Sequence, residues 1–227
     1  RESADELFDA QKLFDISVQS TLGLTSADID ALASVDGVEL AEGAWQESAY
    51  TRIDGARHTV DIKALVPSGT NDPYVLEGTL PKRANEVAVT QQYLKDSGKS
   101  IGDTVTFEGA EDEEKSTSAG TDSATDSTDS TASVDDESFS LDEEESTEVF
   151  DRRTYTITAS VIDPTNITQP DGPVAFRAST SADYSFYVTE DAVLDTSVFA
   201  IAYLRVEGAH DTSSYSDEYT AAVDEVK

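Results

Sequence analysis

The stretch DISVQSTLGLTSADIDALASVDGVELAEGAW, residues 15–45, determines the fold that we expect for this chain. Apolar residues alternate with polar ones at its start, which predicts a half-buried strand over 15–20. Thr25 stands three residues before Asp28, the spacing at which two side chains cap the start of a helix. Gly37 then ends that helix and a second strand follows. Because the stretch contains no phosphate-binding glycine pattern and no candidate catalytic Ser, Cys or His, we interpret it as a scaffold.

The rest of the chain shows the same mixture of helical and strand patterns, separated by Gly and Pro turns. Asp54-Gly55 predicts a turn between two strands, and Gly78 with Pro81 predicts a rigid corner. We expect the segment 163–183, which contains three Pro residues, to be mostly loop. The predicted helices are 2–12, 26–34, 91–97 and 213–226, and the predicted strands are 15–20, 38–53, 58–66, 86–90, 104–108, 153–162, 184–189 and 199–206.

The chain is strongly acidic. Its 227 residues include 47 Asp or Glu and 15 Lys or Arg, which gives a net charge of −32. This charge repels the phosphates of nucleic acids and of anionic lipid head groups. The composition therefore argues against a nucleic-acid-binding protein and against a peripheral membrane anchor.

Much of that charge lies in one low-complexity segment, residues 110–148. The segment holds 15 acidic residues and one Lys and has almost no aliphatic residues, so it cannot bury enough surface to offset the entropy of ordering. We predict a long flexible loop that joins two strands. It is either a solvated spacer or a calcium-binding or glycosylated arm, although it contains no EF-hand pattern. The one N-x-[ST] sequence, at Asn166, lies outside it.

Residues suited to catalysis or metal binding are sparse. The chain has no Cys, and its two His, His58 and His210, lie far apart in the sequence. Trp45 and Tyr50 near Glu47 are the one cluster that suggests a glycan-cleaving site, and we favour a packing role for Trp45. We therefore predict no catalytic residue, no cofactor-binding residue and no metal-binding residue, and we expect that the chain is not an enzyme.

Four segments, in the same order along the chain, resemble the extracytoplasmic (MacB-like periplasmic core) domain of FtsX-like and MacB-like ABC transporter permeases. In that family the first of them lies just after the first membrane helix. Ala159 is a departure, since the family has Gly there. The segments are STLGLTSADIDALASVDGVELAEGAW (20–45), LEGTLPKRANEVAVT (76–90), SIGDTVTFEG (100–109) and YTITASVIDPTNI (155–167).

The resemblance implies an α+β fold with two lobes. Residues 1–66 and 184–227 would form a membrane-proximal α/β lobe, built from a βαβ piece and a ββα piece. Residues 67–109 and 149–183 would form a distal strand-rich lobe, from which the disordered acidic insertion 110–148 projects. The two end helices would continue into flanking membrane helices, with the chain ends close together on one side. The alternative is that they are ordinary amphipathic end helices.

The resemblance also implies a function. The domain would couple ATP hydrolysis by a cytoplasmic ATP-binding subunit to substrate export or extraction, or to activation of a cell-surface partner. We expect it at the extracytoplasmic face of a Gram-positive cell membrane, in a permease that is dimeric when intact. Since the chain starts at Arg1 and has no Met, we expect an excised piece. The alternative function is a free-standing secreted binding or adhesion module with an acidic arm.

Overall fold

The computed structural model of the chain describes residues 13–109, 148–151, 154–165, 182–209 and 217–226. It shows a mixed α+β fold made mainly of strands, which confirms the predicted fold class. Several predicted features lie outside the described residues. These are the helix at 2–12, the acidic segment apart from Glu148, the Asn166 sequence and His210.

The described residues form ten strands, three α-helices and a short 3-10 helix at Glu190–Ala192. The predicted strands at 86–90 and 199–206 and the predicted helix at 91–97 match to the residue. The strands are β1 (Ile16–Leu24), β2 (Val38–Ala44), β3 (Gln46–Ile53), β4 (Ala56–Ala64), β5 (Tyr74–Gly78), β6 (Glu86–Thr90), β7 (Thr104–Val105), β8 (Tyr155–Ile162), β9 (Tyr184–Val188) and β10 (Phe199–Val206). The helices are α1 (Ser26–Ala33), α2 (Gln91–Ser97) and α3 (Asp217–Val226).

Three strands form a small sheet in the order β1-β10-β2, with β10 antiparallel to both neighbours. The predicted strand–helix–strand unit is therefore split, because a strand from near the end of the chain lies between its two strands. Helix α1 covers one face of this sheet. Its Ile29 and Leu32 pack against a core of Leu24, Ala202 and Leu204.

The cap predicted for α1 is confirmed. The backbone N–H of Thr25 donates to the Asp28 carboxylate at 2.7 Å, and the Thr25 hydroxyl oxygen accepts from the Asp28 N–H at 3.4 Å. The hydrogen bond from the Thr25 backbone also lowers the pKa of Asp28. Beyond the helix, Gly37 has a φ of 85°, as its predicted left-handed turn requires.

The other seven strands form a large sheet in the order β3-β4-β9-β6-β8-β5, with β7 also paired to β8. The hairpin β3–β4 turns at Asp54 and Gly55, which both have positive φ, as the tight hairpin turn demands. The pairs β4–β9 and β6–β8 are parallel. Helix α2 packs on this sheet through Tyr93, whose ring meets Tyr184 and Phe186 edge-on at 5.4 and 4.9 Å.

At Trp45 the chain leaves the small sheet and enters the large sheet. The predicted strand 38–53 is interrupted there, so that β2 belongs to the small sheet and β3 to the large one. After β9 the chain returns to the small sheet, where it forms β10. Strands β3, β4 and β9 therefore lie in the large sheet. The lobe limits at 66/67 and 183/184 stay a prediction.

Strand β5 has no counterpart among the predicted strands. It pairs with β8 at the edge of the large sheet, and four of its five residues are exposed. Without a buried face it lacks the alternation of apolar and polar residues that identifies a strand in a sequence. Gly78, predicted to form a corner, ends this strand, and Pro81 after it is buried.

The close approach of β5 to β8 predicts a specific cost for replacing Gly78. Gly78 has a φ of 84°, and a Cβ there would lie 2.1 Å from the Thr158 carbonyl oxygen. Gly55 is a matched control, since its φ is 83° and a Cβ would have nothing within 4 Å. We expect Gly55→Ala to lower the free energy of unfolding by about 1–2 kcal/mol, from backbone conformation alone. We expect Gly78→Ala to lower it by at least about 3 kcal/mol, because the strands must also separate. Equal losses in urea unfolding would contradict the prediction.

Candidate functional site

The beginning of the first strand and the end of the last strand are joined at one end of the small sheet. The backbone N–H of Asp15 donates to the Leu204 carbonyl at 2.9 Å. The Asp15 carboxylate accepts a hydrogen bond of 2.7 Å from the N–H of Val206, the last residue of β10. Asp15 is only 6% exposed. A buried carboxylate therefore closes this end of the β1–β10 pair.

Helix α3 packs at the same end of the small sheet. Its Val223 is buried against Val206 and Ala209, and Ile16 and Val226 pack against this cluster. The last residue of α3 and the first residue of β1 thus share one apolar cluster. The first strand therefore begins beside the end of the last described helix.

Trp45 connects the opposite end of the small sheet to the large sheet. Its indole N–H donates to the Val198 carbonyl at 2.9 Å, and its ring lies 4.9 Å from the ring of Phe199. Phe199 packs against the cores of both sheets. A Cβ on Gly43 would lie 2.4 Å from the Phe199 ring, so glycine gives this ring its space. The packing role favoured for Trp45 is what the structure shows.

A charged network joins strands of the large sheet. The Lys63 ammonium donates to the Asp163 carboxylate and to the Thr165 hydroxyl, both at 2.7 Å. The Ser185 hydroxyl donates to the same carboxylate at 2.6 Å, and the Thr165 N–H donates to it at 2.8 Å. Asp163 is 4% exposed. This buried carboxylate joins β4 and β9 to the end of β8.

The electrostatics of this network decide the charge of Asp163. Burial, the largest single influence, would raise the pKa of the carboxyl group, but the charge of Lys63 and the hydrogen bonds from Lys63, Ser185 and Thr165 together outweigh burial. Together they lower the pKa of Asp163 to about 2. The ion pair is therefore intact at neutral pH.

The two glutamates near Trp45 hold loops in place. Glu47 accepts backbone hydrogen bonds from Val149 and Phe150, at 2.9 and 3.1 Å. Glu42 accepts from both the N–H and the hydroxyl of Ser68. Glu47 therefore fixes the chain where it returns after the acidic segment. These contacts make Glu47 a loop anchor beside the packed ring of Trp45.

His58 makes a surface contact. Its ring Nδ1 lies 3.4 Å from the Asp183 carboxylate, which also accepts from the Thr59 N–H at 3.1 Å. Within the described ranges, no group of three His, Cys, Asp or Glu side chains is arranged to hold a metal ion.

Three residues that join distant elements, Asp15, Lys63 and Asp163, were not singled out by the sequence. Asp163 does carry one local signal, because Asp-Pro-Thr is typical of a turn in which the Asp side chain caps the following backbone. The hydrogen bond from the Thr165 N–H confirms that turn. Lys63 and Asp15 carry no such signal, since their partners lie 100 and 191 positions away.

Solved structures with a similar fold are domains of transporters and permeases. The extracellular domain of the ABC-type transporter YknZ from Gram-positive bacteria shares 11% identity, with a TM-score of 0.43 over 91% of this chain and 85% of that chain. The periplasmic region of MacB from Actinobacillus actinomycetemcomitans shares 10% identity, with a TM-score of 0.42 over 92% and 72%. A domain of a protein described as a permease, from Porphyromonas gingivalis, shares 12% identity, with a TM-score of 0.39 over 90% and 72%.

These similarities concern the fold. No protein-family model matches the sequence, and no curated protein matches it. Among the described helices, none has the length and apolar composition needed to cross a membrane.

The buried ion pair predicts how its variants behave. We expect Asp163→Ala to lower the free energy of unfolding by about 3–5 kcal/mol, because it leaves the Lys63 ammonium buried without its partner. The double variant Lys63→Met/Asp163→Leu buries no charge and should recover most of that loss. Glu108→Ala is the control, since Glu108 pairs with Arg52 at the surface, and it should cost no more than about 1 kcal/mol. A loss for Asp163→Ala as small as that of the control would contradict this account.

The lowered pKa of Asp163 also predicts a pH dependence. A carboxyl whose folded pKa is about 2, against an ordinary 3.8, stabilises the fold above about pH 4 and loses that contribution as the pH falls towards 2. The contribution is about 2 kcal/mol. Urea unfolding at pH 5 and at pH 2 should show this extra loss in the parent chain, relative to the Lys63→Met/Asp163→Leu variant. Parallel losses in both proteins would refute it.

Proposed function

We propose that this chain is the extracytoplasmic domain of an ABC transporter permease subunit. Its role is to couple ATP hydrolysis in the cytoplasm to the export or extraction of a substrate, or to the activation of a cell-surface partner. The four segments that resemble FtsX-like and MacB-like permeases support this proposal. The first of them, residues 20–45, includes part of β1 and all of α1 and β2. Strands β1 and β2 belong to the small sheet, and α1 packs against it.

The observation that carries the proposal is the meeting of β1 and α3, the first and last elements that the structure describes. In a domain inserted between two membrane helices, the chain must enter and leave on the side that faces the membrane. Here Ile16 and Val226 pack in one cluster, and Asp15 bonds to the end of β10. This geometry suits a body that is held at both ends by one membrane.

The small sheet is built to transmit a movement from that end. Strand β10 is hydrogen-bonded to β1 and to β2, so the three strands resist sliding past each other. At the far end Trp45 and Phe199 connect them to the large sheet. A displacement of the chain ends would therefore carry the large sheet with it.

In this proposal the domain itself catalyses nothing and needs no cofactor or metal. Glu47, the carboxylate beside Trp45, is occupied by two backbone N–H groups. ATP would be bound by a separate cytoplasmic subunit that acts through the membrane helices. We place the domain at the extracytoplasmic face of the cell membrane of a Gram-positive cell, in a permease that is dimeric when intact.

The test uses the complete gene product that contains this chain, expressed in a Gram-positive cell. We expect it in the membrane fraction, with this domain cleaved by protease added to intact cells. We also expect an ATP-binding subunit to be recovered with it after affinity purification and identified by mass spectrometry. Recovery of the domain as a soluble protein in the medium would overturn the proposal and favour a secreted module.

A variant at the chain-end contact tests the route of the movement. Asp15→Ala removes the acceptor of the Val206 N–H, and we expect it to lower the free energy of unfolding by about 1–3 kcal/mol. In the assembled transporter we expect ATP hydrolysis to continue while the cellular activity falls. Asp30→Ala, on the exposed face of α1, is the control and should change neither. Full cellular activity of Asp15→Ala would contradict this route.

A further inference from the structure

A small cavity lies where the two sheets face each other. Its volume is about 20 Å³, which is enough for one water molecule. Ala44 and Tyr203 line it from the small sheet, and Lys63 and Tyr187 line it from the large sheet. The loop between β4 and β5 closes it with residues that include Asn71. The cavity is therefore bounded by three parts of the chain that are distant in sequence.

The Asn71 side chain brings an unsatisfied donor to this cavity. Its Oδ1 accepts a hydrogen bond from the Phe14 N–H at 3.2 Å, which fixes the orientation of the amide. Its Nδ2 group is buried and has no acceptor among the described residues. Asn71 is 8% exposed. A buried amide N–H₂ without an acceptor is costly unless a bound molecule supplies one.

Tyr187 brings a second unsatisfied group. It is 2% exposed, and its hydroxyl makes no well-aligned hydrogen bond within the described part of the chain, although the Asp163 carboxylate lies near it. Burial raises the pKa of Tyr187 well above its usual value, and the negative charge of Asp163 adds to this. The hydroxyl is therefore protonated at neutral pH and can donate a hydrogen bond.

We propose that one ordered water molecule occupies this cavity and accepts hydrogen bonds from the Asn71 amide and the Tyr187 hydroxyl. Such a water has two hydrogens to donate, and the cavity wall offers oxygen acceptors on Thr70 and Asp72. A buried water with two to four polar partners is a stable part of a protein structure. This water links the β4–β5 loop to β9, and it does so whether or not the domain belongs to a transporter.

The direct test is a crystal structure of this 227-residue chain at a resolution that shows ordered water. We expect density for one water at about 2.7–3.2 Å from both the Asn71 Nδ2 atom and the Tyr187 hydroxyl oxygen. An empty cavity, or one filled by protein atoms, would overturn the proposal. Because this experiment uses the unaltered chain, it does not depend on whether any variant folds.

A pair of variants tests the same site in solution. Tyr187→Phe removes a group that the water satisfies, so the urea midpoint should fall. The control is Tyr93→Phe, since the Tyr93 hydroxyl is also buried without a well-aligned hydrogen bond among the described residues but does not line this cavity. Removing an unsatisfied hydroxyl should leave the midpoint unchanged or raise it. If Tyr187→Phe behaves as Tyr93→Phe does, the cavity is dry and the proposal fails.

Discussion

The connection made by Trp45 is the constraint on which the rest of the structure depends. The residue stands between β2, an edge strand of the small sheet, and β3, an edge strand of the large sheet, and it is buried in the core of the large sheet. Its indole N–H is satisfied by the Val198 carbonyl, and Phe199 packs on its ring. Because Phe199 also belongs to the core of the small sheet, neither sheet can change its position without disturbing the packing of the other.

Several of the many carboxylates in this acidic chain accept hydrogen bonds from backbone N–H groups. With 47 acidic and 15 basic residues, most carboxylates cannot find a cationic partner. Several of those that are withdrawn from solvent accept backbone N–H groups instead: Asp15 bonds to Val206, Glu47 to Val149 and Phe150. These contacts join segments that are about a hundred or more positions apart. These carboxylates therefore fix the course of the chain, whereas the buried Asp163 is paired with a cation, Lys63.

The proposed function is based on the positions of two sets of contacts, those between β1, β10 and α3 and those of Trp45. The chain-end contacts lie at one end of the small sheet, and the contacts of Trp45 lie at the other. Between them runs β10, hydrogen-bonded on both sides. A unit of this kind suits the transfer of a movement across its length. The polar cavity beside this junction lies within the same boundary, so the water proposed there would belong to the contact between the sheets.

The sequence alone determined the local elements: the capped helix α1, the hairpin turn at Asp54-Gly55, and the bounds of β6, α2 and β10. Each depends on residues a few positions apart, so its signal is contained in a short window. Only the tertiary structure decided that β10 lies between β1 and β2, that the sheets divide at Trp45, and that Lys63 meets Asp163. These pairings join residues that are far apart along the chain, and no periodicity or spacing records them, because they arise from packing and the satisfaction of buried polar groups.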